Sequence, residues 1–249
     1  MSLHPATPEQ FPQLRQMIVA ESCGAIYPLS VLEGFQSGAV YTDDAGQAAF
    51  LWHCCGFAFL FGTYNREILA ECAEMMQHPV RYARLLLFAE DAETAAFFRE
   101  KDGFLLEQRL FFRYPAKQPP QTEIPAVRIT PDILPQIQGR ITPAFSWEQP
   151  ADFLAKGTGY AVMQDGMPAA WAFSAAVSDA EIDIGVETNE HYRRRGFAFA
   201  AAAAMIQETL SQGKVPVWAC HAQNIGSQKL AESLGFVRCG ECLTVRKAD

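Results

Sequence analysis

The sequence predicts an α/β fold with a mixed sheet, and three observations indicate that this arrangement is present in two similar halves. Apolar runs of strand length follow one another between Gly159 and Val186. They lead into an alanine-rich stretch of helix length, Gly196 to Gln212, which ends at Gly213. Each half ends with a predicted helix, a Gly-Phe pair and a predicted strand. The pair is Gly103-Phe104 in the first half and, 132 residues later, Gly235-Phe236 in the second.

A proline-rich stretch divides the chain near its midpoint. Pro115 to Pro125 has four prolines in eleven residues, which favours an extended connector. We therefore predict an N-terminal domain over residues 1–116, a linker over 117–126 and a C-terminal domain over 127–249.

The second half is divided into elements by its turn residues and its apolar periodicity. Asp165-Gly166 separates two strands, and Gly235 ends the last helix. Helices are predicted at Pro131 to Gln138, Pro150 to Ala155, Gly196 to Gln212 and Asn224 to Leu234. Strands are predicted at Gly159 to Met163, Ala169 to Val177, Glu181 to Val186, Val215 to His221 and Phe236 to Val245.

The end of the first half matches the second half at the same offset. The strand at Arg84 to Phe88 matches Pro216 to Cys220, and a helix at Glu67 to Gln77 lies near the corresponding position. Before that helix the first half reads FAFLFGTYN, which has no basic cluster, and Ala92 stands where the second half has Asn224. We interpret the first half as a degenerate copy that shapes a pocket or makes a subunit contact.

Composition limits the classes of function. The 249 residues are 49% hydrophobic, which is enough apolar material for one large or two ordinary domains. Net charge is −8, and the dense basic run is confined to Arg193 to Arg195, so we expect no nucleic-acid partner. An acidic surface attracts amines, but acidity also serves solubility alone, and both interpretations stay open.

Cysteine spacing and the N-terminal sequence bear on location. The seven cysteines lack zinc-site spacing, so we expect no metal and interpret most of them as small buried residues in a reducing compartment. The N-terminal MSLHPATPEQ has no basic start or apolar core of a signal peptide, and no apolar run reaches the roughly 20 residues that cross a membrane. The expected location is cytoplasmic, without a membrane partner.

The segment from Ile182 to Ala198 joins an alternating strand to the alanine-rich helix through a turn with three arginines. A helix that begins at such a turn directs free N–H groups and the positive end of its dipole at one point, which favours an anion. Gly196 allows close approach of the backbone, and Ala198 keeps the next position small. The alternative is a solvated surface turn whose shape Gly196 permits.

Two motifs resemble the GNAT superfamily of N-acetyltransferases, and the whole chain is similar to its two-domain, tandem subgroup. Arg193-x-x-Gly196-x-Ala198 resembles the pyrophosphate loop, and Asn224, Ser227 and Leu230 ahead of Gly235-Phe236 resemble a second GNAT segment. The resemblance implies the GNAT acyl-CoA N-acyltransferase fold and acetyl-CoA as acyl donor, without a metal. The acetyl-CoA-binding residues that it implies are Val186, Glu187, Thr188, Arg193, Arg194, Arg195, Gly196, Phe197, Ala198, Phe199, Asn224 and Ser227.

The same resemblance implies that the strand at Ile182 to Val186 splays from its neighbour near a bulge and offers backbone groups to the pantetheine arm. Gly185 suits such a gap, and a backbone N–H near Val186 would stabilise an oxyanion. The alternative is an ordinary amphipathic strand with Gly185 as a weak point. Asn224 serves equally as a helix N-cap, and the two roles can coexist.

Acetyl transfer to an amine requires a group that removes the ammonium proton. The candidates are Glu181, Asp183, Glu187 and His221. Each also has a purely structural interpretation. Glu181 would be an edge charge, Asp183 a strand partner and Glu187 a loop charge. His221 would be a hydrogen-bonded structural histidine. The tyrosine that serves as general acid in the family is replaced by Ala231, so water, another side chain or no group protonates the leaving thiolate.

The sequence thus predicts an acetyl-CoA-dependent N-acetyltransferase that transfers acetyl directly to a primary amine through a tetrahedral intermediate. The acceptor is an unidentified small-molecule or peptide amine, and a subunit contact made by the first half would give a homodimer. The alternative is a non-catalytic acyl-CoA-binding regulatory or interaction protein, which Ala231 favours. An interaction module that binds no coenzyme is a third class, and the loop from Arg193 to Ala198 argues against it.

Overall fold

The computed structural model describes residues 2–19, 22–79, 82 and 84–248. The chain folds into two compact units, and unit 1 is formed by two separate parts of the chain. Unit 1 contains the chain up to Leu110 and the last residues from Gly240 onward, whereas unit 2 is Phe111–Cys239. The predicted division at residues 116 and 127 stays a prediction, and it differs from these units in counting residues 240–249 with the second half.

Unit 1 contains a sheet, and its helices lie between strands in the chain order. The strands are β1 (His4–Pro5), β2 (Gly38–Thr42), β3 (Ala48–His53), β4 (Phe57–Gly62), β5 (Leu86–Ala89) and β6 (Phe104–Arg113), the last three residues of which belong to unit 2. The helices are α1 (Phe11–Arg15), α2 (Ile26–Leu32), α3 (Arg66–Gln77) and α4 (Ala92–Arg99). The strands from β1 to β4 pair with their neighbours in antiparallel fashion, and β5 runs parallel to β4.

Unit 2 contains the remaining elements. Its strands are β7 (Val127–Arg128), β8 (Gly159–Gln164), β9 (Met167–Val177), β10 (Glu181–Thr188) and β11 (Val215–His221), and the final strand β12 (Val237–Lys247) begins in it. Its helices are α5 (Pro150–Lys156), α6 (Phe197–Ser211) and α7 (Ile225–Leu234). The strands from β7 to β10 are antiparallel neighbours, and β11 runs parallel to β10.

The two units share one order of elements: three antiparallel strands, a helix, a strand parallel to the third, and a second helix. At the offset of 132 residues, α3 corresponds to residues within α6, and Gly103 corresponds to Gly235. Both glycines have positive φ, 84° and 98°, as expected where a helix turns into a strand. The predicted mixed-sheet α/β fold is confirmed.

Each unit has its own apolar core. In unit 1, Phe50 and Trp52 of β3 pack with Ile68 and Leu69 of α3 and with Phe98 of α4, and all five are fully buried or nearly so. In unit 2, α6 lies against β8, β9 and β10. The buried alanines of α6, at 200–203, let the helix approach the sheet closely, because a methyl group adds little thickness between backbones.

One predicted helix is wrong. The stretch Pro131 to Gln138 forms only a 3₁₀ turn at Leu134–Gln136, closed by a hydrogen bond from Ile137 N–H to Leu134 O. Pro135 is the physical reason, because it donates no hydrogen bond and restricts the residue before it. The other helices and strands predicted in the second half agree with the structure to within two or three residues at each end. Among the described residues, no helix is long and apolar enough to cross a membrane.

A fully buried histidine makes the stability of unit 1 depend on pH. His53 ends β3 without solvent exposure; its Nδ1 accepts a hydrogen bond from Cys55 N–H at 3.1 Å, and its Nε2 has no hydrogen-bond partner among the described residues. Burial lowers the pKa of His53 from 6.5 to about 3. The unfolded chain therefore binds a proton that the folded chain does not, and stability is lost as pH falls from about 6.5 towards 3.

We predict that His53→Asn flattens this pH dependence. Asparagine keeps an acceptor near the Nδ1 position but does not titrate, so the free energy of unfolding should fall less steeply, by about 1.4 kcal/mol per pH unit between pH 6 and 4. Urea unfolding of both proteins at pH 7, 6, 5 and 4 measures the two slopes. The smaller side chain is expected to lower stability at pH 7 as well. Parallel pH profiles for the two proteins would contradict the assignment.

Candidate functional site

A cleft opens in unit 2 where β10 and β11 separate. Their parallel pairing ends at Asp183 and Val217, although β10 continues to Thr188 on the side of β9. Between Asp183 and Ile184 the pairing with β9 is irregular and skips Ala175. This bulge coincides with the point of divergence. The predicted splaying of the strand is thus confirmed.

The free edge of β10 offers backbone groups to the cleft. Asn189 N–H donates to Ala169 O at 2.9 Å, so the N–H of residue 189 points towards β9. Since N–H groups of a strand alternate between its two edges, those of Val186 and Thr188 point the other way, to the side from which β11 has diverged. A ligand lying along this edge can therefore bind as an additional strand would.

The turn after β10 is shaped to bind an anion. Arg194 and Gly196 both have left-handed φ, 61° and 79°, and Gly196 is the N-cap of α6. Gly196 has no side chain to cap the helix, and the first turn has no acidic residue. The N–H groups of Phe197, Ala198 and Phe199 are thus directed out of the N-terminus of a fifteen-residue helix, together with the positive end of its dipole.

The corresponding helix of unit 1 is closed to an anion. The side chain of Asn65 caps α3 by accepting hydrogen bonds from Glu67 N–H and Ile68 N–H, at 3.1 and 3.2 Å. Glu67 also adds a carboxylate to the first turn. The first half therefore lacks both the free N–H groups and the favourable charge that α6 has, which agrees with its interpretation as a degenerate copy.

The free edge and the turn border one cavity of about 630 Å³. It is lined by Val186, Glu187, Thr188, Tyr192, Arg193, Arg194, Gly196, Phe197, Ala198, Phe199, Trp218, Asn224, Gly226, Ser227 and Leu230. Of the residues that the sequence indicated for binding acetyl-CoA, Arg195 alone is absent from this lining. Its guanidinium carbon lies 5.4 Å from the centre of the Tyr192 ring instead.

The lining includes residues that the sequence reasoning did not assign to the site. Tyr192 follows β10 in a 3₁₀ turn, and its hydroxyl donates to Asp165 Oδ2 at 3.3 Å. Trp218 Nε1 donates to Ser227 Oγ at 3.0 Å, which links β11 to α7. Trp218 is buried in β11, where every second residue is buried, and the apolar sequence of this strand did not distinguish it from its neighbours. Gly226 had no distinguishing signal either.

The N-terminus of α7 forms the opposite wall. Asn224 is its N-cap, and Asn224 Oδ1 accepts a hydrogen bond from Ser227 N–H at 3.1 Å. The capping role expected of Asn224 is therefore present, and the residue lines the cavity as well. Ala231, at the position of the family's tyrosine acid, is fully buried. It supplies no proton donor to the cleft.

Glu187 is the catalytic candidate that lines the cavity. Its Oε2 accepts a hydrogen bond from Ile141 N–H at 2.7 Å, and Ile141 O accepts one from Trp171 Nε1, also at 2.7 Å. Gly139 lies against the same carboxylate, and a Cβ at position 139 would overlap it. These contacts hold Oε2 in place.

The other three catalytic candidates are not among the residues that line the cavity. Glu181 forms an ion pair with Arg113; burial raises the pKa of its carboxyl, and Arg113 opposes this effect. Asp183 is buried, and it is the last residue of β10 that pairs with β11. His221 Nδ1 accepts a hydrogen bond from Gln223 N–H at 3.1 Å, which puts the proton of the neutral ring on Nε2. Their catalytic roles stay untested predictions.

The described part of the chain contains no group of three or more His, Cys, Asp or Glu side chains arranged to hold a metal ion.

Comparisons with known proteins agree over nearly the whole chain. A family model described as GNAT acetyltransferase matches residues 25–242. An uncharacterized N-acetyltransferase of Bacillus subtilis, YdfB, is 26% identical over an alignment of 247 positions that covers 94% of each chain. A GCN5-related N-acetyltransferase-like protein from Streptococcus suis superposes with a TM-score of 0.75 at 23% identity, covering 98% of this chain and 100% of that one.

The division into two units has a structural counterpart as well. A tandem GNAT protein from the clavulanic acid biosynthesis pathway superposes with a TM-score of 0.60 at 13% identity, covering 100% of this chain and 98% of that one. At these identities, the structural likenesses show the fold alone.

We predict that the turn before α6 binds inorganic pyrophosphate and that two of its three arginines contribute. Arg193→Gln and Arg194→Gln should each weaken binding about three- to tenfold, because each removes a cation that lines the cavity, and added salt should weaken binding to the parent protein. Calorimetric titration at 50 and 200 mM salt measures both effects. Arg195→Gln is the matched control and should bind as the parent does. Equal losses in all three variants would indicate a diffuse surface charge instead of a built site.

Proposed function

This chain belongs to the GNAT acetyltransferase family, and from that premise we propose that it transfers an acetyl group from acetyl-CoA directly to a primary amine. The observation that carries the proposal is the coincidence of an uncapped helix N-terminus with a free strand edge in a single cavity. Both features are needed to hold a long molecule with a pyrophosphate at one end and a thioester at the other. Either feature alone would fit many ligands.

The residues present fit the two parts of acetyl-CoA. The N–H groups that begin α6, with Arg193 and Arg194, would hold the pyrophosphate. The free edge of β10 would hold the pantetheine arm by strand-like hydrogen bonds. The N–H of Val186 would then be available to the oxygen of the reacting carbonyl, where negative charge develops as the amine attacks and a tetrahedral intermediate forms.

Glu187 is the side chain that we propose as general base. An ammonium has no lone pair, so its proton must be removed before the nitrogen can attack. Oε2 is held by Ile141 N–H, and we propose that Oε1 takes the proton, directly or through a water molecule. With alanine at position 231, the proposal assigns protonation of the thiolate to solvent.

We propose that the acceptor is a small-molecule or peptide amine, with no nucleic-acid partner, because the net charge of −8 favours cations. The seven cysteines all lie in the described part of the chain and none of them forms a disulfide there, which supports a reducing, cytoplasmic location. A homodimer stays a prediction. Ala231 favours the alternative of a protein that binds acyl-CoA without turnover, and an amine-dependent release of free thiol distinguishes the two.

We predict that acetyl-CoA binds with micromolar affinity, roughly −8 kcal/mol, and that Gly196→Ala weakens it at least about tenfold. A side chain disfavours the φ of 79° at this N-cap, and reorienting the turn redirects the N–H groups. Isothermal titration measures the affinity. Gly213→Ala is the matched control, because Gly213 has a similar φ of 72° with open space around it and lies at the other end of α6. Binding lost in both variants, or in neither, would contradict the proposal.

We also predict that Glu187→Gln lowers kcat by about 10²- to 10⁴-fold, the usual contribution of a general base. The amide oxygen can still accept the Ile141 hydrogen bond, so the affinity for acetyl-CoA should change little. Steady-state kinetics and titration separate the two effects. Glu190→Gln, at an exposed carboxylate outside the cavity lining, should retain activity. If Glu187→Gln is as active as the parent, Glu187 is not the general base and another group has that role.

A further inference from the structure

Unit 1 contains two arginine side chains that lie over one aromatic ring. The guanidinium carbon of Arg84 is 5.1 Å from the centre of the Phe57 ring, and that of Arg109 is 4.8 Å from it. The two cations are therefore within about 10 Å of each other. The aromatic face attracts each guanidinium but does not neutralise its charge. All three residues belong to unit 1, whereas the turn before α6 belongs to unit 2.

Arg84 is held at this ring through its backbone and its side-chain stem. Trp52 Nε1 donates to Arg84 O at 3.1 Å, and Arg84 Nε donates to Cys55 O at 3.2 Å. Gly56 has a φ of 91°, and a Cβ at this position would overlap Arg84 Cγ. The absence of a side chain at Gly56 therefore lets the stem lie against the backbone, which positions the guanidinium beside Phe57.

Arg109 contributes a cation whose charge is not compensated by a hydrogen bond or an ion pair. Its Nε is buried, and within the described part of the chain the guanidinium has no acceptor and no carboxylate partner. Buried donors of charged side chains are usually bonded, because a donor that leaves water without a new acceptor destabilises the fold. The residue as a whole is half-buried, so part of the side chain stays open to a small ligand.

The surrounding titratable groups leave this pair of side chains positively charged. Besides burial, the charge of Arg109 is a cause that lowers the pKa of Arg84, so the two guanidinium groups repel each other. Glu90 is the carboxyl that, with Arg109, acts electrostatically on the thiol of Cys242, and burial raises the pKa of Glu90 to about 7. This carboxyl is only partly ionised near pH 7, so it offsets little of the arginine charge. Two neighbouring cations in this setting favour an anion with two negative charges.

We propose that Arg84 and Arg109 form an anion site in unit 1 and that its ligand is a doubly charged oxyanion, either a phosphate or a dicarboxylate. A guanidinium offers paired N–H donors in the plane that matches the oxygens of both groups. Phe57 holds the two cations in position, and a dianion between them relieves their repulsion. A singly charged anion can neutralise one guanidinium only, so it binds more weakly.

Protection from an arginine reagent tests the proposal on the unaltered protein. Phenylglyoxal modifies accessible guanidinium groups, and peptide mass spectrometry at pH 7.5 measures the rate at each arginine. Inorganic phosphate should slow the modification of Arg84 and Arg109 at least about threefold. Arg99, an exposed arginine that ends α4, is the control and should react at an unchanged rate.

The choice of anion distinguishes the two kinds of ligand. Protection by phosphate alone would assign a phosphate site, and protection by malonate alone would assign a dicarboxylate site, whereas acetate should protect less than either. The proposal would be overturned if neither phosphate nor malonate protected Arg84 and Arg109. Equal protection at Arg99 would overturn it as well, because it would indicate a general effect of ionic strength.

Calorimetric titration with phosphate measures the same site in variants. Because the turn before α6 is also expected to bind anions, the background protein carries Arg193→Gln and Arg194→Gln. In that background Arg109→Gln should weaken phosphate binding at least about tenfold, and Arg109→Lys, which keeps the charge but loses the planar donors, should weaken it less. Arg99→Gln is the charge-matched control and should change the affinity less than about twofold.

Two results of this titration would contradict the proposal. One is the absence of saturable heat in the background protein, and the other is equal phosphate affinity in Arg109→Gln and Arg99→Gln. If Arg109→Gln does not fold, Arg84→Gln, at an exposed residue, takes its place with the same expected loss. Neither experiment includes acetyl-CoA, so the result is independent of the transferase activity.

Discussion

The separation of β10 from β11 after Asp183 is the constraint on which the candidate site depends. Two parallel strands that stayed paired to their ends would satisfy each other's N–H and C=O groups and leave nothing for a ligand. Here the pairing stops while β10 continues beside β9. The sheet thus holds β10 with one free edge. Its unpaired N–H and C=O groups would destabilise the fold if they were buried without partners, but in an open cleft they can bond to a ligand.

The helix that follows completes the site by the same principle of unsatisfied backbone groups. A side chain can cap the first N–H groups of a helix, as Asn65 does for α3. In α6 the N-cap is Gly196, which leaves these groups to a ligand. The two units therefore share an order of elements but differ in this capping residue, so the first N–H groups are bonded by a side chain at α3 and by none at α6.

Glu187 connects the cleft to the rest of unit 2. Its carboxylate meets the loop at 139–141 on one side and the cavity on the other, so its position depends on Trp171 and on the absence of a side chain at Gly139. Glu181 instead forms an ion pair with Arg113, and His221 Nδ1 accepts a hydrogen bond from Gln223 N–H. Four candidates of similar chemistry on neighbouring strands are thus distinguished by what each side chain contacts.

By itself, the sequence determined most of the elements in the second half, the repeat and the turn before α6, because these depend on local periodicity and on residues with special backbone conformations. Gly196, Ala198 and Asn224 could be found for that reason. Only the tertiary structure decided that Arg195 stacks on Tyr192 outside the cavity, that Tyr192 and Gly226 line it, and that the last residues of the chain belong to unit 1. It also replaced the expected helix at Pro131 to Gln138 with a 3₁₀ turn and brought the loop at Gly139 against Glu187. These features depend on contacts between residues far apart in the chain, and local pattern contains no information on which distant groups will meet.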